Sequence, residues 1–456
     1  MPINDMRYAI GDRRYAIRDT RYDAIIVGAR PAGAGLAAFL SQGGFRVLLM
    51  DRVTFPKPTL SCPLYFGNAF DLLKRIGVME KVDALGAPKL RWYQVQIQDI
   101  HLRGQMLPYN GFDYAYHIRR ELFDEMLFKH VAAMPNVETR LGFNVTSLIW
   151  ENERVIGVRG REQGGDEIEI HGEVVIGADG IFSTVAEQVN AKKYNVVPAQ
   201  TCVYYAYYDN VAMAGNEPTA TMYYDPKEHF AFITANGESD LTVISMSLPA
   251  SKFDWARANF ETLHFDFANK IPEMAERMKN AKRVTPVYGV SPRESFYRVP
   301  FGKGWALVGD AAFYKDPLPG QGIHDALRSA ELVTQALVEC RANGKMPRAW
   351  ENAFRNYHTT RDRETKAMYE LTDLYAQLER ERSRQEMDLF RALAASPEWS
   401  NRYVSLFNGV TSLEWFQRWD TLMRILLGWR WGQVKGKLLG ANGIRSNNYA
   451  KSPYGD

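Results

Sequence analysis

Cysteine is scarce: three residues in 456, Cys62, Cys202 and Cys340, far apart and without paired metal-ligand spacing. An odd number excludes a complete disulfide framework, and a reducing, cytoplasmic setting is expected. Long apolar runs are also missing. Nowhere do roughly 18 uncharged apolar residues follow one another, so no transmembrane segment is expected. Charge of one sign is lacking too: the formal net charge is +3, which gives no electrostatic case for nucleic acid. The start has no basic stretch leading into an apolar run, as a secretory signal would. Residues 1–21 are polar and carry a small echo, Arg7-Tyr8-Ala9-Ile10 returning as Arg14-Tyr15-Ala16-Ile17, and read as a mobile tail. What is present is ordinary for a globular chain, 46% hydrophobic and 24% charged. The length calls for more than one domain.

The clearest local pattern comes early. Tyr22 to Val27 reads as a short buried strand ending at Gly28, followed by Gly28-Ala29-Arg30-Pro31-Ala32-Gly33-Ala34-Gly35 and a small-residue helix with Leu36, Phe39 and Leu40. A second strand, Val47 to Met50, ends at Asp51, 23 residues beyond Gly28. Strand, glycine turn, helix, strand and acid in that order mark a dinucleotide fold. Gly28 permits the tight turn and Gly33 lets the helix pack against the strand. The helix N-terminus offers free N–H groups and a positive dipole end to a pyrophosphate. Asp51 can accept hydrogen bonds from a ribose. Arg30 stands where the second glycine of the motif belongs, so its side chain has to turn away, toward a phosphate or a nearby acid.

This opening resembles the FAD-binding region of the para-hydroxybenzoate hydroxylase and geranylgeranyl reductase superfamily, the class A flavoprotein monooxygenases and their relatives, which also include flavin-dependent halogenases. Two later segments match in order and spacing. Val174-Val175-Ile176-Gly177-Ala178-Asp179-Gly180, with Ser183 and Val185, resembles the acid-glycine turn near the pyrophosphate. Trp305-Ala306-Leu307-Val308-Gly309-Asp310-Ala311-Ala312, then Asp316-Pro317-Leu318-Pro319-Gly320-Gln321-Gly322, resembles the segment whose aspartate binds the ribityl chain and whose glycines open a helix pointing at the flavin. Arg120 with Phe123, Asp124 and Leu127 fits the family's arginine-led helix, with Arg119 equally legible as that arginine. Val145 fits a backbone contact to adenine. The resemblance spans about 22–337 and implies cofactor contacts at Gly28, Ala29, Arg30, Pro31, Ala32, Gly33, Asp51, Arg52, Arg120, Val145, Asp179, Gly309, Asp310, Pro317, Gly320, Gln321, Gly322 and Ile323.

The expected architecture is α/β: a discontinuous Rossmann-like FAD-binding domain (22–89, 112–200, 301–347), a mixed or antiparallel β-sheet substrate domain (90–111, 201–300) and a helical C-terminal region (348–456). Aromatic alternation in Cys202–Tyr208, Thr221–Tyr224, Phe230–Thr234 and Leu241–Met246 reads as antiparallel strands with one face packed and the other lining a cavity or solvent. Tyr205, Tyr207, Tyr224 and Phe232 are the substrate-facing candidates, although each alone is an ordinary packing residue. Arg361 to Arg391 reads as an exposed amphipathic helix. The tryptophans beyond it, Trp415, Trp419, Trp429 and Trp431, suit a cap on the substrate cavity, a subunit interface, a membrane surface or, by default, packing onto the chain's own domains.

Flavin chemistry resides in the cofactor, so the residues discriminate weakly between reactions. The resemblance implies an FAD-dependent oxidoreductase, foremost an NAD(P)H-driven monooxygenase or hydroxylase of a bulky aromatic or apolar small molecule, using molecular oxygen. No second glycine fingerprint marks a separate NAD(P)H domain. The two-tryptophan motif of halogenases is not found, the corresponding strand reading Phe230-Ala231-Phe232-Ile233. A geranylgeranyl-reductase-like saturase is the alternative, because Phe55-Pro56-Lys57 through Leu73 has that branch's length, with Ser61-Cys62 where its Cys-Gly pair belongs. A non-catalytic flavin-binding regulator is a further alternative. His324, two residues past Gly322, is the one candidate for proton transfer.

Overall fold

The computed structural model describes residues 22–343 and 347–438; the expected N-terminal tail, and positions 344–346 and 439–456, lie outside the described residues. The chain is built on a six-stranded sheet in the order Phe301–Gly302, Trp305–Leu307, Val175–Gly177, Ala24–Val27, Val47–Asp51, Val137–Leu141. All neighbours are parallel except the short edge strand Phe301–Gly302. Ala24–Val27 lies in its middle and is buried throughout. Its continuous apolar run suits a strand covered on both faces. The helices Pro31–Gln42, Arg120–Ala132 and Gly322–Ala342 contribute to the core on one side. An antiparallel triple of Phe143–Glu151, Arg154–Glu162 and Ile168–His171 contributes to the core on the other.

The second sheet has eight strands. Thr201–Asp209, Thr242–Pro249, Phe230–Asn236 and Thr219–Asp225 run antiparallel in that spatial order. Trp92–Ile97 then joins parallel to Thr219–Asp225, and Ile100–Gln105 forms the edge beyond it. Thus a segment from early in the chain completes a sheet made of late ones. One expectation is corrected here. Of the two expectations for the unpacked face, cavity or solvent, the central strands do not meet the second: Thr201–Tyr208 and Thr242–Pro249 are buried at every position, and the sheet alternates toward solvent only at its outer strands, where His101 is exposed. Helices between Phe253 and Met278 cover one face, through Leu263, Phe267, Met274 and Met278. The C-terminal helices cover the other, through Leu371, Leu393, Phe407 and Ile425.

The C-terminal region is helical, but the single helix expected over 361–391 is two. Pro347–Ala376 ends, and Arg384–Ala394 starts afresh behind a capping box in which the Ser383 hydroxyl and the Glu386 carboxylate satisfy each other's backbone N–H. That reciprocal cap is a stronger start signal than the charge pattern running across it. Nor is the first stretch wholly exposed. Arg361 is buried and donates to Ala312 O, Arg298 O and the Tyr194 hydroxyl.

Candidate functional site

Three glycine-bearing turns meet at one end of the six-stranded sheet. Gly28 adopts φ 105°, and a side chain there would put Cβ 2.4 Å from Ala178 O. At Gly33 a Cβ would lie 1.7 Å from Gly28 O, so helix and strand touch backbone to backbone. Gly309 has φ 58°, and its Cβ would meet the Ala32 Cβ at 2.8 Å. Only glycine tolerates these approaches. Together they lock the three motifs, about 150 and 130 residues apart in sequence, into one cradle.

Two helices begin at this cradle without a side-chain cap. Pro31–Gln42 starts after Arg30, and Gly322–Ala342 starts after Gln321. The Gln321 amide is turned away and donates to Phe407 O at 2.9 Å. A Cβ on Gly322 would meet nothing within 4 Å, so space lies open in front of that helix end. Unpaired first-turn N–H groups with the positive end of the helix dipole suit an anionic group.

Asp51 is buried at the end of its strand. Its Oδ2 accepts from Ala29 N at 2.8 Å and its Oδ1 from Val53 N at 3.0 Å, leaving one lone pair on each oxygen. Arg52 beside it is exposed. Arg30 does turn away from the phosphate track, pairing with Asp124 at 2.6 Å and resting over the Phe55 ring. Asp124 also takes both arms of Arg120, at 2.8 and 3.0 Å. Burial opposes the Arg120 charge and Asp124 outweighs it, with Asp310 adding to the effect. Arg119 faces elsewhere: it pairs with the buried Glu238 and lies over the Tyr207 ring. The structure thus separates two arginines that were equal in the sequence, placing Arg120 beside Asp310.

The Asp310 side chain is exposed at the cradle, and the protein packed around its position pushes its carboxyl up to about 6 against the pull of Arg120. Tyr65, fully buried near Arg120 and Asp124, has a hydroxyl with no hydrogen-bond partner among the described residues. An unpaired buried hydroxyl costs about 1–3 kcal/mol. The glycine cradle, the two uncapped helices and this orphan hydroxyl fit a dinucleotide carrying a polyol chain. Asp179 is committed locally, accepting from the Ser183 hydroxyl and from Val185 N, with its carboxyl raised by burial. Val145 is buried on Phe143–Glu151 in a cluster with Val27 and Met50. Pro317 is exposed, Gly320 turns with φ 70° against Leu64, and Ile323 is buried.

His324 is half-buried, its Nδ1 3.2 Å from Asp325 Oδ1. It lines a cavity of about 210 Å³ with Lys315, Arg328, Arg361, Glu364 and Met368, none of them from the aromatic sheet. Lys315 pairs with Asp325. Burial alone would raise the Asp325 carboxyl, but Lys315 and His324 hold it down at about 2.

On the sheet, Tyr205, Tyr207 and Tyr224 share one face, in the same cluster as Leu64 of the short strand Leu64–Tyr65 and Leu318 of the turn before Gly322–Ala342. Phe232 is not with them. It pairs with Tyr223 and Met246 in register, and all three belong to the opposite face under the helices between Phe253 and Met278. The candidate is corrected by the period-two alternation of strands, which aims directly opposed residues to one side. Tyr205 is anchored, donating to Thr59 O and accepting from Ser61 N, each at 3.1 Å. Tyr224 accepts from Arg382 at 3.1 Å.

Tyr207 stacks on His117, which sequence reasoning missed. His117 is fully buried, its Nδ1 2.9 Å from Pro63 O, and Nε2 has no partner among the described residues. Burial lowers its pKa and keeps it neutral. Glu238 and Tyr65 were missed as well. Their only signal was position, just before the arginine-led helix, after a strand, or inside the 55–73 segment.

Comparison with known proteins agrees with this geometry. The model of the FAD binding domain family matches residues 21–372. The chain is 26% identical over 327 residues to the digeranylgeranylglycerophospholipid reductase of Methanosarcina acetivorans, covering 71% of this chain and 76% of that one. It is 21% identical over 417 residues to the 1H-pyrrole-2-carbonyl-(peptidyl-carrier protein) chlorinase of Pseudomonas fluorescens, covering 85% and 89%. Among solved structures, the flavin-dependent brominase Bmp2 superposes with a TM-score of 0.73 at 20% identity, covering 91% of this chain and all of that one. PqsL, a probable FAD-dependent monooxygenase from Pseudomonas aeruginosa, superposes with a TM-score of 0.63 at 17% identity, covering 85% and 100%. At these identities the two structures speak to the fold.

Proposed function

From the premise that this chain belongs to the FAD binding domain family and is an FAD-dependent oxidoreductase, we propose that it is an NAD(P)H-driven monooxygenase of a bulky aromatic or apolar small molecule. The observation that carries the proposal is the junction of two surfaces: the polar cradle, and an aromatic sheet face with Tyr205 and Tyr207 packed beside Leu64 and Leu318. Bound FAD, once reduced, supplies two electrons to oxygen or to an unsaturated substrate. Gly28 to Gly33 and the first turn of Pro31–Gln42 receive its pyrophosphate, and Asp51 its ribose. Asp310, with Arg120 and Tyr65, holds the polyol chain. The amides that open Gly322–Ala342 place partial positive charge where a reduced cofactor is anionic. Tyr205 and Tyr207 orient an apolar ring, and neutral His117 has a free acceptor for a substrate N–H or O–H.

The test is a panel of phenols and indoles with NADH or NADPH, reading oxygen uptake and product mass in buffer containing chloride and bromide. Uptake that accelerates with substrate, and a product heavier by one oxygen atom, supports the reading. Replacement of hydrogen by halogen assigns the chain to the chemistry of the chlorinase and brominase instead. The saturase is favoured by the reductase relatives. If photoreduced enzyme is reoxidised by an unsaturated prenyl lipid with oxygen excluded, and the lipid gains two hydrogens, the monooxygenase reading is wrong.

A further inference from the structure

Met368, half-buried on the helix Pro347–Ala376, stands between two cavities that differ in kind. One is the charged cavity of about 210 Å³ lined by His324, Lys315 and Arg328, which reaches exposed Glu414. The other offers only about 10 Å³, room for the centre of one small molecule. Tyr93 and Met222 of the aromatic sheet face, Leu318 and Pro319 of the turn before Gly322–Ala342, and Leu371 and Phe407 of the C-terminal region surround it. Most of its polar side chains are committed elsewhere. Thr372 donates to Met368 O at 2.6 Å, and the Tyr375 and Tyr403 hydroxyls bond each other at 2.8 Å. Of the lining side chains only Tyr93 keeps a hydroxyl without a partner among the described residues.

A buried water needs about two to four polar partners, more than these side chains supply. Apolar cavities without such partners stay dry and take up apolar guests such as xenon. A ring or a prenyl chain does not fit so small a volume. Dioxygen is diatomic and apolar, and it is the small reactant of flavin chemistry that matches both properties. We propose that this pocket takes dioxygen and passes it to the cradle, with Met368 as the gate from the charged cavity, where dissolved oxygen enters with water. An unbranched thioether swings aside and back at little cost. The turn of Leu318 and Pro319 runs into Gly322, in front of which space lies open, so a guest leaving on that side emerges at the cradle. The inference rests on oxygen being a reactant of the bound cofactor, as the monooxygenase reading requires.

The experiment places crystals of the FAD-loaded protein under xenon and, in solution, times the reoxidation of photoreduced enzyme by oxygen with no substrate present. The expected result is a xenon atom between Leu318, Leu371 and Phe407. Leu371→Phe fills the pocket; it should exclude the xenon and slow reoxidation about fivefold or more. Met368→Ala removes the gate without adding bulk and should speed reoxidation about twofold. Flavin absorbance and cooperative melting show that each variant is folded, and the xenon result on the wild type needs no variant. The proposal is overturned if the wild type takes up no xenon there, if Leu371→Phe excludes xenon yet is reoxidised as fast as the wild type, or if Met368→Ala is no faster. Because xenon reacts with nothing and reoxidation is timed without substrate, a product lacking the added oxygen atom counts against the monooxygenase reading and not against the pocket.

Discussion

On the far face of the eight-stranded sheet, buried Arg277 donates to Ala212 O, the Tyr223 hydroxyl and Thr234 Oγ1, and His264 bridges the Tyr208 hydroxyl and Tyr204 O. At the glycine cradle the same kinds of group stand open: two helix ends uncapped, the Tyr65 hydroxyl unpaired, Asp310 exposed. One region spends its polar groups on holding itself together; the other keeps them for something that comes from outside. The difference teaches where to look for binding. Aromatic residues are dense in both regions, and burial alone does not tell them apart. Unsatisfied donors and acceptors do.

Breaking the cradle has the largest expected effect. Gly33→Val drives a side chain into Gly28 O, and the protein should lose both FAD and its cooperative melting, whereas Gly180→Ala, with nothing within 4 Å, is strained only through its φ of 81°. Calorimetry and flavin absorbance measure both. If Gly33→Val stays yellow and melts like the wild type, the backbone contact is misread.

The next test sets the two regions against each other by pH. Burial holds the His264 imidazole down at about 4. The unfolded chain takes up that proton near its ordinary value of about 6.5, so this contribution is intact above about pH 6.5 and is lost toward pH 4, up to about 3 kcal/mol. Asp310 runs the other way. Its carboxyl titrates at about 6 in the fold and at about 3.9 unfolded, so its contribution is full at low pH and falls as pH rises from about 4 to about 6. Over this range the two contributions oppose each other, so urea midpoints of the FAD-free wild type should change little. They should fall with rising pH in His264→Gln, where only Asp310 remains, and rise in Asp310→Asn, where only His264 remains. Opposite slopes for the two variants are the signature.

A smaller effect concerns FAD retention. Asp310→Ala removes a charge-assisted contact worth about 1.5–3 kcal/mol, so FAD should dissociate about 10- to 100-fold more readily. Asp51→Ala should cost less affinity and more stability, because its oxygens already serve Ala29 N and Val53 N. Equal FAD affinity in wild type and Asp310→Ala contradicts the placement. The smallest effect separates the two sheet faces. Phe232→Leu is expected to lower stability by about 1 kcal/mol and leave substrate-stimulated oxygen uptake unchanged. Tyr207→Phe should change that uptake while melting stays nearly constant.

The sequence by itself determined the cradle, because a turn, a close backbone approach and a helix start depend on residue type at fixed local spacing. Gly28, Gly33, Gly309 and Gly322 state those demands with no knowledge of the rest of the chain. Alternation likewise marked the strands from Cys202 to Met246. Which face each aromatic residue takes was settled only by the tertiary structure, since period two separates two sets of residues without saying which set meets the flavin side and which the helices between Phe253 and Met278. That is how Phe232 parted from Tyr205 and Tyr207. The choice between Arg119 and Arg120, the fresh helix at Arg384, and the pairing of Trp92–Ile97 with a strand more than a hundred residues later were decided there too. Each depends on partners distant in sequence, and a local pattern contains no trace of them.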